Sequence, residues 1–150
     1  MNLKCLNNIS DTAALIDYLN QIKYSSRSNT TTFALLDIDN FSYFNFKYGF
    51  EQGDILLEKV CKKIKQNILH TEFTGRLGSD EFLIIVEFTY ISNNIFIDLL
   101  NIFKKELKIT ASIGLLNLKL IPQPETLIIS LHSAVQEAKS NGKNQICIVE

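Results

Sequence analysis

Apolar residues recur along this chain at two different spacings, and each spacing predicts a different kind of element. From Asp11 to Tyr24 they follow a helical period, with Asp11 as the predicted N-cap. From Thr32 to Ile38 the chain is short and almost continuously apolar, which predicts a buried central strand. Polar, Ser/Thr-rich or Pro-containing segments separate such elements and predict loops.

The whole pattern predicts helices and strands in the order α-β-α-α-β-β-α-β-α-β. Gly49 and Gly142 are predicted to end the second and the last helix. This order favours a single α+β domain over residues 1–150, with one sheet, helices mainly on one face, and a ferredoxin-like core. The predicted helices are Asp11–Tyr24, Asn40–Tyr48, Glu51–Leu69, Asn94–Leu107 and Thr126–Asn141, and the predicted strands are Thr32–Ile38, Glu72–Leu77, Glu81–Phe88, Ile109–Leu118 and Gln145–Val149.

Composition and charge narrow the possible functions. Hydrophobic residues make up 46% of the chain and charged residues 21%, which is typical of a globular domain. The formal net charge of -1 argues against binding to duplex nucleic acid, which requires a basic face. Any phosphate ligand must therefore be held by a local site.

The cysteines and the apolar runs indicate a cytoplasmic domain. Cys5, Cys61 and Cys147 are far apart and form no CxxC pair, which predicts free thiols rather than a zinc site or a disulfide framework. The first ten residues lack the apolar core of a signal peptide. The longest apolar runs are too short to span a bilayer, so we expect no membrane contact by this domain itself.

Acidic residues lie at the end of the predicted central strand, in the motif Asp37-Ile38-Asp39. A carboxylate at this edge of the sheet, together with a backbone carbonyl, can bind a hard divalent cation. Alternatively, Asp37 only ends the strand and Asp39 caps the next helix. For Asp39 we adopt that structural interpretation.

Two further acids, Asp80 and Glu81, follow Gly78-Ser79 at the tip of a predicted hairpin. Gly78 permits a positive φ angle and a close approach of the backbone to a ligand. Adjacent like charges at a tight turn are unfavourable unless a cation or hydrogen bonds offset them. An ordinary polar turn explains the glycine and one acid, but it gives no reason for the pair. We expect neither Asp37 nor Asp80 to belong to the core.

Two pairs of polar residues match the parts of a purine nucleotide. Asn45 and Asp54 offer the amide and the carboxylate that can recognise the edge of guanine. Lys139 and Lys143, four residues apart at a helix end, can face a triphosphate. Each also has a structural interpretation, because an Asp near a helix start and lysines near a helix end favour the helix dipole. Taken singly, these residues leave both interpretations open.

The motifs together resemble the GGDEF family of diguanylate cyclases over nearly the whole chain. The segment DIDNFSYFNFKYGFEQGDILL is similar to the family's strand, short helix and guanine-binding helix, and RLGSDEFLII is similar to its signature hairpin, here with Gly78-Ser79 in place of Gly-Gly. TASIG and AKSNGKN are similar to two later blocks of the family.

The resemblance implies a palm-like fold, with a five-stranded, mostly antiparallel sheet and surrounding helices, and a set of site residues. It implies that Mg²⁺ or Mn²⁺ is bound by Asp37, Asp80 and the backbone carbonyl of Ile38. Asp80 is also the implied general base. The implied second acid of the signature is Glu81, and the implied GTP-binding residues are Asn45, Asp54, Gly78, Ser79, Lys139 and Lys143.

The implied reaction is the condensation of two GTP molecules into cyclic di-GMP and pyrophosphate. Since each domain holds one GTP, the resemblance also implies that catalysis requires a homodimer. Leu69 and Glu72 stand where many family members have the RxxD motif that binds the inhibitory product, so no such site is expected.

Several departures from the family pattern leave the activity open. Ser42 stands where a phosphate-facing Lys is usual, Lys143 replaces an Arg, and His132 replaces an Asp. The first function that fits is an active diguanylate cyclase. The second is a catalytically degenerate domain that binds GTP or mediates dimerisation. An unrelated ferredoxin-like RNA-binding domain would need a basic face and exposed aromatic residues on its central strands.

Overall fold

The segment predicted to be a buried central strand lies at the centre of the sheet. The computed structural model describes residues 12–23, 30–69, 71, 73–88, 94–119 and 122–149, so the predicted cap Asp11 lies outside the described residues. The strands are β1 (Thr30–Ile38), β2 (Phe73–Arg76), β3 (Glu81–Phe88), β4 (Ala111–Leu118) and β5 (Ile146–Val149). The helices are α1 (Thr12–Lys23), α2 (Phe41–Tyr48), α3 (Phe50–Asn67), α4 (Asn94–Ile102) and α5 (Pro124–Ser140), and a π-helical turn (Phe103–Leu107) continues α4.

The described strands form one sheet in the order β2-β3-β1-β4-β5. β1 is antiparallel to both β3 and β4, β2 is antiparallel to β3, and β4 and β5 are parallel. The prediction of one mostly antiparallel sheet of five strands is therefore confirmed, as is the order of the elements.

Helices cover both faces of the sheet, so the prediction that they pack mainly on one face is wrong. On one face Leu36 of β1 packs in a core with residues of α3 and α4. On the other face Leu35 packs in a second core with residues of α1 and α5. The physical reason is that successive strand residues point to opposite faces, and in β1 both sets are apolar and buried.

The ends of the helices follow local chemistry. α2 ends at Gly49, whose φ of 90° suits a glycine, and the Gly49 N–H donates to the Asn45 carbonyl at 2.8 Å. α5 begins at Pro124, two residues earlier than predicted, because proline is well suited to the first turn of a helix. The fourth predicted helix changes to a π-helical turn at Phe103, which its apolar period does not indicate.

Gly114 of β4 lets α5 lie unusually close to the sheet. A Cβ atom at this position would lie 2.7 Å from the Leu131 carbonyl oxygen and 2.8 Å from the Ala134 Cβ. The first of these neighbours is helix backbone, which cannot move aside cheaply. The absence of a side chain at Gly114 therefore sets the distance between α5 and the sheet.

The cysteines differ in state. Cys147 is a half-buried free thiol, as predicted. Cys61 is buried and disulfide-bonded, so the prediction of a free thiol is wrong there. No helix within the described ranges is both long enough and apolar enough to cross a membrane.

Candidate functional site

Acidic residues from β1 and from the β2–β3 hairpin meet at one edge of the sheet. Asp37 of β1 lies directly opposite Glu81 of β3 in the antiparallel register. Asp80 immediately precedes β3, and its carbonyl accepts a hydrogen bond from the Ile38 N–H at 3.2 Å. Like charges directly opposite each other on two strands are destabilising, so this arrangement requires compensation from another part of the molecule.

α5 supplies a partner for each of the two facing acids. The Lys139 Nζ donates to Asp37 Oδ1 at 2.7 Å. His132 Nε2 lies 3.0 Å from Glu81 Oε1. Lys139 and His132 are seven residues apart, which is about two turns and places them on one face of the helix.

Asp37 is buried, with 7% of the residue exposed, so the expectation that it lies outside the core is wrong. Its burial raises the pKa of the Asp37 carboxyl, since the charged form loses solvation. The hydrogen bond from Lys139 opposes this rise in pKa, whereas the nearby Asp80 adds to it. A divalent cation next to Asp37 would offset both the lost solvation of its charged form and the repulsion from Asp80.

Gly78 lies beside the Glu81 side chain and does not have a positive φ angle. The described glycines with positive φ are Gly49 and Gly142, so the conformational reason predicted for Gly78 is wrong. Instead, a Cβ atom on Gly78 would lie 2.9 Å from Glu81 Oε2. The glycine leaves room for the Glu81 carboxylate, whose other oxygen faces His132.

Hydrogen bonds fix the shape of the hairpin tip. Arg76 Nε donates to the Gly78 carbonyl at 3.0 Å, and an Nη of Arg76 donates to the Ser79 carbonyl at 2.5 Å. The Ser79 hydroxyl donates to Asp80 Oδ1 at 3.1 Å. The Leu77 N–H donates to the Glu81 carbonyl at 3.1 Å. Contacts within the hairpin thus fix the tip, and a hydrogen bond from the Ile38 N–H to the Asp80 carbonyl places Asp80 near Asp37.

Asp39 has a structural role, but it is not the predicted helix cap. Its Oδ2 accepts from the Thr110 hydroxyl at 2.7 Å and from the Asn144 N–H at 3.1 Å. Its Oδ1 accepts from the Ser112 hydroxyl at 2.7 Å. The N-cap of α2 is Asn40, so Asp39 is free to join β1 to β4 and to the loop before β5.

The two predicted phosphate-binding lysines occupy different positions. Lys139 lies in the last turn of α5 and contacts an acid. Lys143 lies beyond the end of the helix, in a left-handed conformation with φ of 64°, and its Nζ donates to Asn40 Oδ1 at 2.7 Å. The structure therefore brings Lys139 together with the predicted metal ligands, and it joins Lys143 to the N-cap residue of α2.

Asn45 and Asp54 lie on neighbouring helices, α2 and α3. Asn45 Oδ1 is buried and has no hydrogen-bond partner among the described residues. A Cβ atom on Gly53 would lie 1.8 Å from this oxygen, so the glycine is needed for Asn45 to occupy its position. Asp54 follows Gly53 and is exposed. A buried acceptor without a donor suits a ligand that brings an N–H group.

The predicted metal ligands have the chemistry of a magnesium site. Within the described ranges, His, Cys, Asp and Glu side chains form no group of three that could hold a metal by themselves. The predicted site needs only the carboxylates of Asp37 and Asp80 and the carbonyl of Ile38. Mg²⁺ commonly binds one or two carboxylates and completes its coordination with water and substrate phosphates, so these hard oxygen donors fit it.

Sequence reasoning missed the contact between His132 and Glu81 and the role of Gly53. A signal for the first exists in the helical period, because His132 precedes the predicted phosphate-binding Lys139 by two turns. Gly53 has no comparable signal, since its function depends on how two helices approach each other.

Comparisons with known proteins identify the family of this chain. The family model described as "Diguanylate cyclase, GGDEF domain" matches residues 7–145, so the chain belongs to the GGDEF family. MucR of Pseudomonas aeruginosa, a bifunctional diguanylate cyclase/cyclic di-GMP phosphodiesterase, is 29% identical over a match that covers 97% of this chain and 23% of that protein. Diguanylate cyclase A of Treponema denticola is 26% identical, with 89% and 39% covered. The chain thus spans well under half the length of both relatives.

Solved structures show the same fold. The GGDEF domain of DgcB from Caulobacter crescentus, in complex with c-di-GMP, has a TM-score of 0.81 and 22% identity, covering 94% of this chain and 91% of that one. Diguanylate cyclase SiaD of Pseudomonas aeruginosa, in complex with its activator SiaC, has a TM-score of 0.85 and 19% identity, covering 96% and 60%. At these identities the likeness establishes the fold alone, and the predicted palm-like α+β fold is confirmed.

Proposed function

We propose that residues 1–150 form a GGDEF domain that condenses two GTP molecules into cyclic di-GMP and pyrophosphate, as a source of this bacterial second messenger. The observation that supports this function most directly is the gathering of Asp37, Asp80 and Glu81 at the end of β1, with Lys139 of α5 against them. Such a cluster suits the binding of a metal and a triphosphate.

In this proposal, Asp37, Asp80 and the Ile38 carbonyl hold Mg²⁺ or Mn²⁺. When bound, the metal neutralises negative charge on the triphosphate. Asp80 accepts the proton of a 3′-hydroxyl. The 3′-oxygen of each GTP bonds to the α-phosphorus of the other GTP, and the bond from that phosphorus to pyrophosphate breaks, so that two pyrophosphates leave for each cyclic di-GMP.

Other residues of the chain bind and orient GTP. Asp54 accepts hydrogen bonds from the N1–H and N2–H₂ groups of guanine, and Asn45 completes the recognition of the base. Lys139, Lys143 and the backbone of Gly78-Ser79 bind the triphosphate. Because each domain holds one GTP, two copies must face each other. GTP is a cytoplasmic nucleotide, so the reaction implies a cytoplasmic domain.

A second function is also supported, that of a degenerate domain that binds GTP without turning it over. The observation in its favour is that groups of the site are already occupied within the chain. His132 faces Glu81, and Lys143 donates to Asn40. Ser79, in place of the usual glycine, donates to Asp80.

Incubation with GTP and Mg²⁺, followed by chromatography, separates the two functions. Cyclic di-GMP that forms with the wild type but not with Asp80→Asn would support the cyclase. Saturable GTP binding without any cyclic di-GMP would support the degenerate domain. If GTP did not bind at all, both proposals would be wrong.

A further inference from the structure

We propose that Lys139 is a built-in counter-ion of Asp37 that the metal must displace, so that metal binding releases the same ammonium group for the nucleotide. The inference deepens the proposed function and rests on it. It gives Lys139 two successive partners, first a carboxylate of the metal site and then the triphosphate.

The contact itself is close and sheltered. Lys139 Nζ lies 2.7 Å from Asp37 Oδ1, and the side chains of the two residues are 24% and 9% exposed. Asp37 also faces Glu81 across the strand pair and lies near Asp80. Lys139 is thus the cationic residue in contact with Asp37, whereas the partner of Glu81 is His132.

A divalent cation on Asp37 would compete with the lysine for the same carboxylate. Two positive groups within a few ångströms repel each other, and this repulsion is strong where water is partly excluded. Lys139 can withdraw, because a lysine ammonium sits on a flexible four-carbon stem. The backbone of α5 need not move, since His132 and the close approach at Gly114 hold the helix on the sheet.

This arrangement predicts that loss of Lys139 changes the affinities for metal and nucleotide in opposite directions. In Lys139→Met the metal-free protein loses a charge-assisted hydrogen bond, so Mn²⁺ alone should bind roughly tenfold more tightly. GTP, measured at saturating Mn²⁺, should bind roughly tenfold more weakly because one phosphate-binding cation is missing. If Lys139 contacted only phosphate, the substitution would weaken GTP binding and leave the binding of metal alone unchanged.

Lys143→Met is a matched control, since it removes the same charge from a residue that lies near the site but donates to the Asn40 side chain instead of a carboxylate. We expect it to weaken GTP binding and to leave the affinity for Mn²⁺ alone within about twofold. A similar gain in Mn²⁺ affinity in both variants would mean that overall charge, and not the contact with Asp37, is responsible, and this would overturn the inference.

The experiment is a calorimetric titration of the full chain with Mn²⁺ in the absence of nucleotide, followed by GTP at saturating Mn²⁺. Lys139→Gln, which keeps a donor but loses the charge, provides a second variant if Lys139→Met is poorly folded, and we expect it to show a smaller gain in the same direction. The rise in melting temperature caused by Mn²⁺ gives an independent measure of affinity.

Asp37→Asn separates failure of the inference from failure of the proposed function. If Mn²⁺ binding is lost in Asp37→Asn and is the same in Lys139→Met as in the wild type, the metal site stands and the counter-ion role of Lys139 is wrong. If Mn²⁺ binding is unaffected by Asp37→Asn, the proposed metal site itself is wrong.

Discussion

Replacing Asp39 by Ala should destabilise the fold strongly, even though Asp39 is not one of the proposed site residues. Asp39 is buried, and its carboxylate accepts hydrogen bonds from Thr110, Ser112 and the Asn144 N–H, at 2.7, 2.7 and 3.1 Å. Alanine offers no acceptor, so all three donors lose their partner at once.

The size of the effect follows from the burial of these donors. Ser112 is fully buried, so its hydroxyl cannot find water, whereas Thr110 is half-buried and can. A buried group left without a partner costs about 1–3 kcal/mol, and a hydrogen bond to a charged group contributes about 1.5–3 kcal/mol. We therefore expect the free energy of unfolding to fall by about 3–4 kcal/mol, a large part of the total stability of a typical domain.

Equilibrium unfolding in urea measures this loss, with Asp98→Ala as the control. Asp98 is exposed on α4, so its replacement should change the free energy of unfolding by at most about 0.5 kcal/mol. A loss below about 1 kcal/mol in Asp39→Ala, with an unchanged urea dependence, would refute the reasoning. Because Asn144 follows Lys143, the same variant should also weaken GTP binding at temperatures where it remains folded.

Three further predictions concern ligands and assembly. GTP should bind at least tenfold more tightly than ATP, because Asp54 would face the unprotonated N1 of adenine. If calorimetry gave equal affinities for GTP and ATP, both in the wild type and in Asp54→Ala, the guanine assignment would be wrong. Specific activity should rise with protein concentration, since two half-sites must meet, and activity independent of concentration in a sample shown to be monomeric would argue against this. Cyclic di-GMP should show no submicromolar binding around Leu69, whose exposed aliphatic side chain cannot form a hydrogen bond. If calorimetry showed submicromolar binding of cyclic di-GMP that is lost in Glu72→Ala, this prediction would be wrong.

The fold could be predicted largely because its signals are local. The apolar period that defines α3 and the continuous apolar run of β1 both lie within single segments, and both elements formed within two residues of the predicted bounds. The apolar run of β1 also argues against the prediction that helices cover mainly one face of the sheet. A strand that is apolar on both sides must be covered on both sides. The sequence pattern gives no count of the helices on each face, which depends on tertiary packing.

The candidate site residues could be selected from sequence motifs, but their contacts could not. Asp37, Asp80 and Lys139 could be selected from their motifs, and the structure brings them together. By contrast, Asp39 and Ser112 are 73 residues apart and carry no periodic signal that joins them. The positive φ angle predicted for Gly78 was wrong, and its closeness to Glu81 could not be predicted, because the position of the Glu81 carboxylate depends on the strand register and on α5.

A substitution at Gly114 would change the reactivity of the proposed site indirectly, through the position of α5. A single methyl group at this position would push α5 away from β4. Lys139 and His132 would shift together, since both belong to α5. In a screen of random variants for activity, we therefore expect substitutions at Gly114 to lower activity as those of the site residues do, although Gly114 is not one of the proposed site residues. Side chains of increasing size at Gly114 would therefore weaken the contacts of α5 with Asp37 and Glu81 by degrees, without replacing any polar residue of the site.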